Sequence, residues 1–182
     1  SMNEDFGFRG AFQFVPEVRY AKREEIHAAV RERGHEVNLH GLNHDGHLFD
    51  EREEFLRRAA KINEYARSWG AKGFRSPVLY RKQAWFDALE FDYDMSVPNT
   101  ARLEAQRGGC CTVMPYFIGD LVELPTTTAE DYTLFHILRD YTTEVWNCQL
   151  DTIVEFNGLF NLIAHPDYLT ESRGRDTYRR FL

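Results

Sequence analysis

His40 and His44, in the stretch GHEVNLHGLNHDGHLF, have the spacing of two ligands to one metal ion. Four of the seven histidines, His35, His40, His44 and His47, crowd this one segment. His35 and His40 open and close a short extended run, and five residues at about 3.3 Å each hold them roughly 16 Å apart, too far to share an ion. His40 and His44 both follow the run, and Gly41 and Gly46 let the chain turn so that two imidazoles converge. Paired imidazoles suit a borderline-soft divalent cation. His47 and Asp45 stand in reserve as a third nitrogen and an oxygen, although a solvated loop residue is the commoner fate of each.

Two more residues sit where chemistry is often done. His165 follows an apolar run in NLIAHPD, and Arg75 ends a short apolar run in GFRSP. A lone histidine at a strand end is more often a hydrogen-bonded spacer than a catalyst. A strand-end arginine is either a surface cation or a planar fork that orients a carboxylate. Tyr80, Tyr116, Phe117 and Tyr168 lie near the same ends and could stack on a ligand, against the commoner use of aromatics in packing.

Positioning these residues requires strands that end on a common face. Residues 10–15, GAFQFV, read as a strand stopped at Pro16. Residues 22–33 read as a surface helix with Ile26, Ala29 and Val30 on one face, ended by Gly34. Residues 36–40 form a second strand, and a long helical pattern follows Asp50, with Phe55, Leu56, Ala59, Ala60 and Ile62 at helical spacing before Gly70. Residues 73–77 are a short strand broken by proline, and Trp85, Phe86 and Leu89 mark a third helix. Residues 92–97 read as a strand, and 112–124 as a pair of short strands around Gly119-Asp120. Asp131 reads as the cap of a helical region covering 134–138 and continuing through 145–156. Residues 159–164, LFNLIA, form a last apolar strand. Alternating strands and helices imply a mostly parallel sheet, closed or open, with active residues at its carboxyl ends.

Composition agrees with one folded domain over residues 1–182: hydrophobic residues make up 43%, aromatics 14% and charged residues 28%. The net charge of −7 disfavours nucleic acid as a partner. No apolar run approaches the roughly 20 residues of a membrane-spanning helix, and the start has no signal-peptide pattern, so no membrane partner and a cytoplasmic location are expected. Ser1-Met2 reads as a tag remnant before an initiating methionine. Cys110, Cys111 and Cys148 lack zinc-site spacing and read as reduced thiols, with burial as small hydrophobes preferred.

With these motifs in order, the chain resembles the polysaccharide deacetylases, carbohydrate esterase family 4. His40-Gly41-Leu42-Asn43-His44 matches that family's H-(S/T)-x-x-H motif, with Gly41 in place of the hydroxyl residue. Arg75-Ser76-Pro77 matches R-x-P, Leu162-Ile163-Ala164-His165 matches the late L-x-x-H, and GAFQFV resembles the strand after the first strand and helix. The resemblance runs over nearly the whole chain. It implies an α/β fold, a distorted (β/α) barrel incomplete at the N-terminus, and hydrolysis of an N-acetyl amide, less often an O-acetyl ester, on a carbohydrate. On this reading His40 and His44 hold a divalent metal, most plausibly Zn. His165 is the general acid, Arg75 positions a carboxylate base, and Tyr116 and Tyr80 contact the sugar.

The family's first motif, an Asp-Asp pair, has no counterpart: Glu4-Asp5 stand too close to GAFQFV for an intervening helix. One of those aspartates is the family's base and the other its third metal ligand, so the chain resembles a truncated deacetylase. The family's aspartate that tunes the catalytic histidine also has no clear match, and Asp94 and Asp120 remain open. The rival reading is a decayed, noncatalytic member that binds metal or carbohydrate without turnover; a third ligand distinguishes the two. A missing first strand would leave GAFQFV as an open edge, from which a homo-oligomer is expected.

Overall fold

The computed structural model describes residues 2–19, 22–100 and 103–182, so Ser1 of the tag remnant lies outside the described residues. After a single helical turn, α1 (Met2–Asp5), two strand-helix units follow: β1 (Ala11–Phe14), α2 (Arg23–Glu32), β2 (Glu36–His40) and α3 (Arg52–Trp69). The short strands β3 (Gly73–Arg75) and β4 (Tyr93–Asp94) come next, and β5 (Tyr116–Ile118) and β6 (Leu121–Glu123) form a hairpin. The chain closes with α4 (Glu144–Glu155) and α5 (Ser172–Phe181).

These strands make a six-stranded sheet of order β1-β2-β3-β4-β6-β5. Every pairing is parallel except that of the β5–β6 hairpin, which turns at Gly119 with φ 62°. The fold class is therefore α/β, as expected. Among the described residues the ladder runs from β1 to β5, and no pairing that would close it into a barrel is observed.

Burial explains the order of the elements. Along α3 the spacing of Phe55, Ala59, Ile62 and Ala66 puts one stripe against the sheet, and Gly70 ends the helix in the left-handed region with φ 60°. That stripe packs with Leu39 of β2, Phe74 of β3 and Phe86 in one core cluster. Asn38, fully buried, accepts from the backbone N–H groups of Lys72 (3.1 Å) and Gly73 (2.9 Å), fixing where β3 starts beside β2. A second core gathers Leu134, Phe135, Trp146 and Tyr178 from the C-terminal third.

Several sequence expectations are corrected. On α2 the buried residues are His27 and Val30, while Ile26 and Ala29 are exposed; the His27 ring sits between Phe14 (4.5 Å) and Trp69 (4.7 Å), which fill that face instead. The third helix is a 3₁₀ segment, Gln83–Ala88. The strand expected over 92–97 narrows to Tyr93–Asp94, because the chain beyond it is taken up by the Asp94, Ser96 and Val97 contacts described below. The helical region after Asp131 is not continuous: a π-helical turn, Thr133–Leu138, stops at Arg139 with φ 53°, and α4 begins separately. Cys111 and Cys148 are exposed rather than buried, and all three thiols are free. Among the described residues, no helix is long and apolar enough to cross a membrane.

Residues 159–164 are not a ladder strand; scattered backbone bonds, from Leu159 N–H to Val113 O (2.7 Å), Thr127 N–H to Asn161 O (3.2 Å) and Asp131 N–H to Ile163 O (3.3 Å), are supplemented there by side chains. Thr127 Oγ1 donates to Leu159 O (2.8 Å) and accepts from Asn161 N–H (2.9 Å). Thr128 Oγ1 donates to Asn161 O (3.0 Å), and the Asn161 amide donates to Leu124 O (3.0 Å). This stitching carries the chain to His165. Thr127 is 1% exposed, so Thr127→Val, which keeps the shape and removes the hydroxyl, strands a buried N–H and a carbonyl. A loss of about 1–3 kcal/mol is expected, read from urea unfolding midpoints; an unchanged midpoint would show that the backbone bonds and packing hold the segment without the hydroxyl.

Candidate active site

Four neighbouring strands finish on polar residues: β2 on His40, β3 on Arg75, β4 on Asp94 and β6 on Glu123. Register places His40 beside Arg75 and Asp94 beside Glu123. The carboxyl end of the parallel sheet is therefore a polar rim, the usual location of a site in open α/β folds.

His40 Nδ1 lies 2.9 Å from the Arg75 carbonyl oxygen. A carbonyl can only accept, so Nδ1 carries the proton and Nε2 is left with its lone pair. Burial pushes the His40 pKa down to about 3, with the charges of His44, Arg75 and His165 adding to the effect and outweighing the Arg75 carbonyl bond, so the ring is neutral at physiological pH. The His44 ring is 5.0 Å from it, centroid to centroid. His44 adopts φ 55°, uncommon for a residue with a side chain, and Val78 and Leu79 after the Arg75-Ser76-Pro77 motif have φ 58° and 54°. Such strained backbone gathers at functional sites. Gly41 makes the turn possible: its φ is +66°, and a Cβ there would lie 2.6 Å from the Pro77 ring.

The reserve ligands are engaged elsewhere. Asp45 accepts from Arg58 (2.9 Å) and from the His47 N–H (2.9 Å), and the Arg58 bond first of all holds its pKa down to about 2. The His47 ring pairs with Asp50 at 2.7 Å. His35 accepts from the Gly10 N–H at the opposite end of β2. Among the described residues, no group of three or more His, Cys, Asp or Glu side chains could hold a metal ion. His40 and His44 thus present two donors, where a catalytic zinc commonly has three protein ligands.

His165 is clamped by Asp131, which the sequence marked only as a helix cap. Asp131 Oδ1 lies 2.6 Å from His165 Nδ1, and Oδ2 accepts the His165 backbone N–H at 2.5 Å. Asp131 is fully buried. Burial alone would lower the His165 pKa, but the Asp131 bond and charge, with Glu130 adding to them, raise it. With Nδ1–H directed at Asp131, Nε2 is the atom free to pass a proton outward. No spacing in the sequence announces a partner 34 positions away. The two aspartates considered for this role lie elsewhere: Asp120 is exposed on the β5–β6 turn, and Asp94 is buried beneath Arg75.

Arg75 is a buried cation rather than a surface one. Its Nε donates to Met95 O (3.0 Å); burial works against its charge, and Asp94, Glu130 and Glu123 support it. Asp94 accepts twice from Ser96, from the N–H at 2.8 Å and the hydroxyl at 2.7 Å. Glu123 Oε1 accepts from the Val97 N–H at 3.0 Å, while Oε2 meets no donor and faces the Asp94 carboxylate. Both acids are 0% exposed, so that contact holds only with a proton between them, and burial followed by the Asp94 charge keeps it on Glu123. Arg75 is thereby matched by one net negative charge in this pair.

Tyr80 and Tyr116 fall on different structures. Tyr80 is half-buried against the α3 core, and its ring faces Gly46 of the histidine loop. Tyr116 accepts from Gln83 Nε2 (3.2 Å) and lines a cavity of about 430 Å³ with Arg81, Gln106, Arg107 and Cys110. Arg81 is fixed there by the Leu79 and Gly108 carbonyls. A cavity of about 420 Å³ between Tyr141, Arg173 and Arg180 shares none of the rim residues.

No protein-family model matches the chain, and no curated protein matches it. Among solved structures it is similar to the Xyl-CE4 domain of a multidomain xylanase from the hindgut metagenome of Trinervitermes trinervoides, at 11% identity and a TM-score of 0.42 over 94% of this chain and 81% of that one. A superposition so loose at that identity establishes neither family nor activity.

The proton shared by Asp94 and Glu123 has a measurable consequence. Because the folded pKa of Glu123 is raised, the folded state keeps a proton that the unfolded chain releases above about pH 4.5; its stabilising effect is full below that pH and is lost as pH rises toward the folded value. Glu123→Gln supplies a permanent donor in the same shape. The wild type is expected to lose stability relative to this variant between about pH 5 and 9, by at most about 1.4 kcal/mol per pH unit for one proton. Parallel curves of unfolding midpoint against pH would show that no proton is held.

Proposed function

We propose that this chain is a hydrolase that removes acetyl groups from an acetylated carbohydrate, an N-acetyl amide first and an O-acetyl ester second. What supports it is the His40–His44 pair and Arg75 at the carboxyl ends of β2 and β3, with the Asp131-clamped His165 close enough for its charge to act on His40. His40 offers an unprotonated Nε2 beside His44, a donor pair that fits part of a zinc site. A divalent ion bound there would polarise the acyl oxygen and acidify a water. The role of His165 is to protonate the leaving nitrogen, since an amide anion departs poorly. The bidentate hold of Asp131 orients that ring and keeps its proton available. Arg75 anchors the charge balance behind the site, and Tyr116 and Tyr80 are the proposed sugar contacts. Among the described residues β1 pairs only with β2, an edge suited to self-association, and a homo-oligomer remains part of the proposal.

A second reading is favoured by one observation: only two metal donors gather among the described residues. On that reading the chain binds metal or carbohydrate without turnover.

Metal analysis and acetate release separate these readings. With zinc supplied, wild type is expected to hold close to one ion per chain and to release acetate from an N-acetylglucosamine oligomer. His40→Ala with His44→Ala is expected to lose both the ion and at least about a hundredfold of the rate. An ion bound with no acetate released supports the binding reading, and no ion in either protein contradicts the metal site.

A further inference from the structure

A water attacking an acyl carbon has to give up a proton, and the carboxylates of this face can be sorted by what they already do. Asp131 spends both oxygens on His165. Asp94 is held by Ser96, and Glu123 by Val97 and Asp94. Asp45 is held by Arg58, and Asp50 by His47. Glu130 and Glu104 differ: both are half-buried, and neither side chain makes a hydrogen bond or ion pair among the described residues. Glu130 directly precedes the residue that clamps His165, and its carboxyl interacts with Arg75, His165, Asp131 and Glu104. Glu104 interacts with Arg81 and Glu130 instead.

We propose that Glu130 is the general base of the site, the carboxylate that takes the proton from the attacking water while His165 gives one to the leaving nitrogen. This rests on the hydrolase reading. The water oxygen bonds to the acetyl carbon as its proton passes to a Glu130 oxygen. The C–N bond then breaks, nitrogen takes the His165 Nε2 proton, and acetic acid leaves, its carboxyl proton passing to solvent. Over the cycle one water is consumed and the proton accepted by Glu130 replaces the one given by His165.

The electrostatics suit the task. Burial first, then the charges of Glu104 and Asp131, push the Glu130 pKa up to about 7 against the opposing pull of His165 and Arg75. A base near the working pH combines a useful ionised fraction with proton affinity. This environment also predicts a rate that rises through neutrality as Glu130 ionises, and that falls again as His165 loses its proton.

Glu130→Gln, Glu130→Asp and Glu104→Gln test the assignment, with N-acetylglucosamine oligomer as substrate and one equivalent of zinc. Glu130→Gln is expected to lower kcat by about 10²–10⁴-fold with KM nearly unchanged, to bind zinc as wild type does, and to lose the acid limb of the pH profile. Glu130→Asp should recover part of the rate, and Glu104→Gln should stay within a few-fold of wild type. A readout independent of turnover is carbon NMR of the glutamate carboxyls in the metal-free protein: one resonance titrating near neutral pH in wild type and absent in Glu130→Gln. Wild-type rates in Glu130→Gln, or a larger loss in Glu104→Gln, would overturn the assignment alone. Wild type that binds zinc but releases no acetate would overturn the hydrolase reading and this assignment with it.

Discussion

Everything at the carboxyl end of the sheet depends on the contact between the His40 ring and the Arg75 carbonyl. It joins the last residue of β2 to the last residue of β3 across a parallel register. One hydrogen bond does three things at once: it fixes the ring's rotation, assigns the proton to Nδ1, and turns the Nε2 lone pair away from the backbone. Such a partner behind a ligating imidazole is what orients metal-binding histidines in general. Here it is a main-chain carbonyl, so its position is set by the sheet rather than by a mobile side chain.

The price of placing charge at this rim is managed by sharing. Arg75 is buried, and a lone buried cation is costly. Two acids from the next two strands lie with it, but they hold a proton between them, so the cluster stays close to neutral. Farther along the rim, Asp131 is buried and makes a charge-assisted pair with His165, which itself remains partly exposed. Along the rim the neutral His40 is followed by the buried Arg75, the proton-sharing Asp94–Glu123 pair and the Asp131–His165 pair, and each of these pairs also bonds to backbone groups.

Much of this arrangement was legible in the sequence where the signal was local. The strand over 36–40, the helix ending at Gly70, and the hairpin at Gly119-Asp120 follow from periodicity and turn chemistry within a few residues. His40, Arg75 and His165 stood out because each ends a short strand-like run, and His44 by its spacing from His40. What escaped is long-range. The Asp131 partner of His165 and the buried acid pair join separate elements, and their residue types carry no mark of burial. Residues 159–164 looked like a strand because they are apolar, yet they are held by a few scattered backbone bonds and by the side chains of Thr127, Thr128 and Asn161, an arrangement no hydropathy pattern encodes. On α2, charge obscured the buried face, since His27 rather than Ile26 or Ala29 fits between Phe14 and Trp69.

The central claim, that the fold presents an unprotonated His40 Nε2 to a divalent ion, is tested most directly by nitrogen NMR of the imidazoles as zinc is titrated. A neutral His40 with its proton on Nδ1 is expected across about pH 5 to 8, with an Nε2 resonance that shifts with zinc together with one from His44. A His40 ring that carries its proton on Nε2, or that titrates like a free imidazole and ignores zinc, would contradict it.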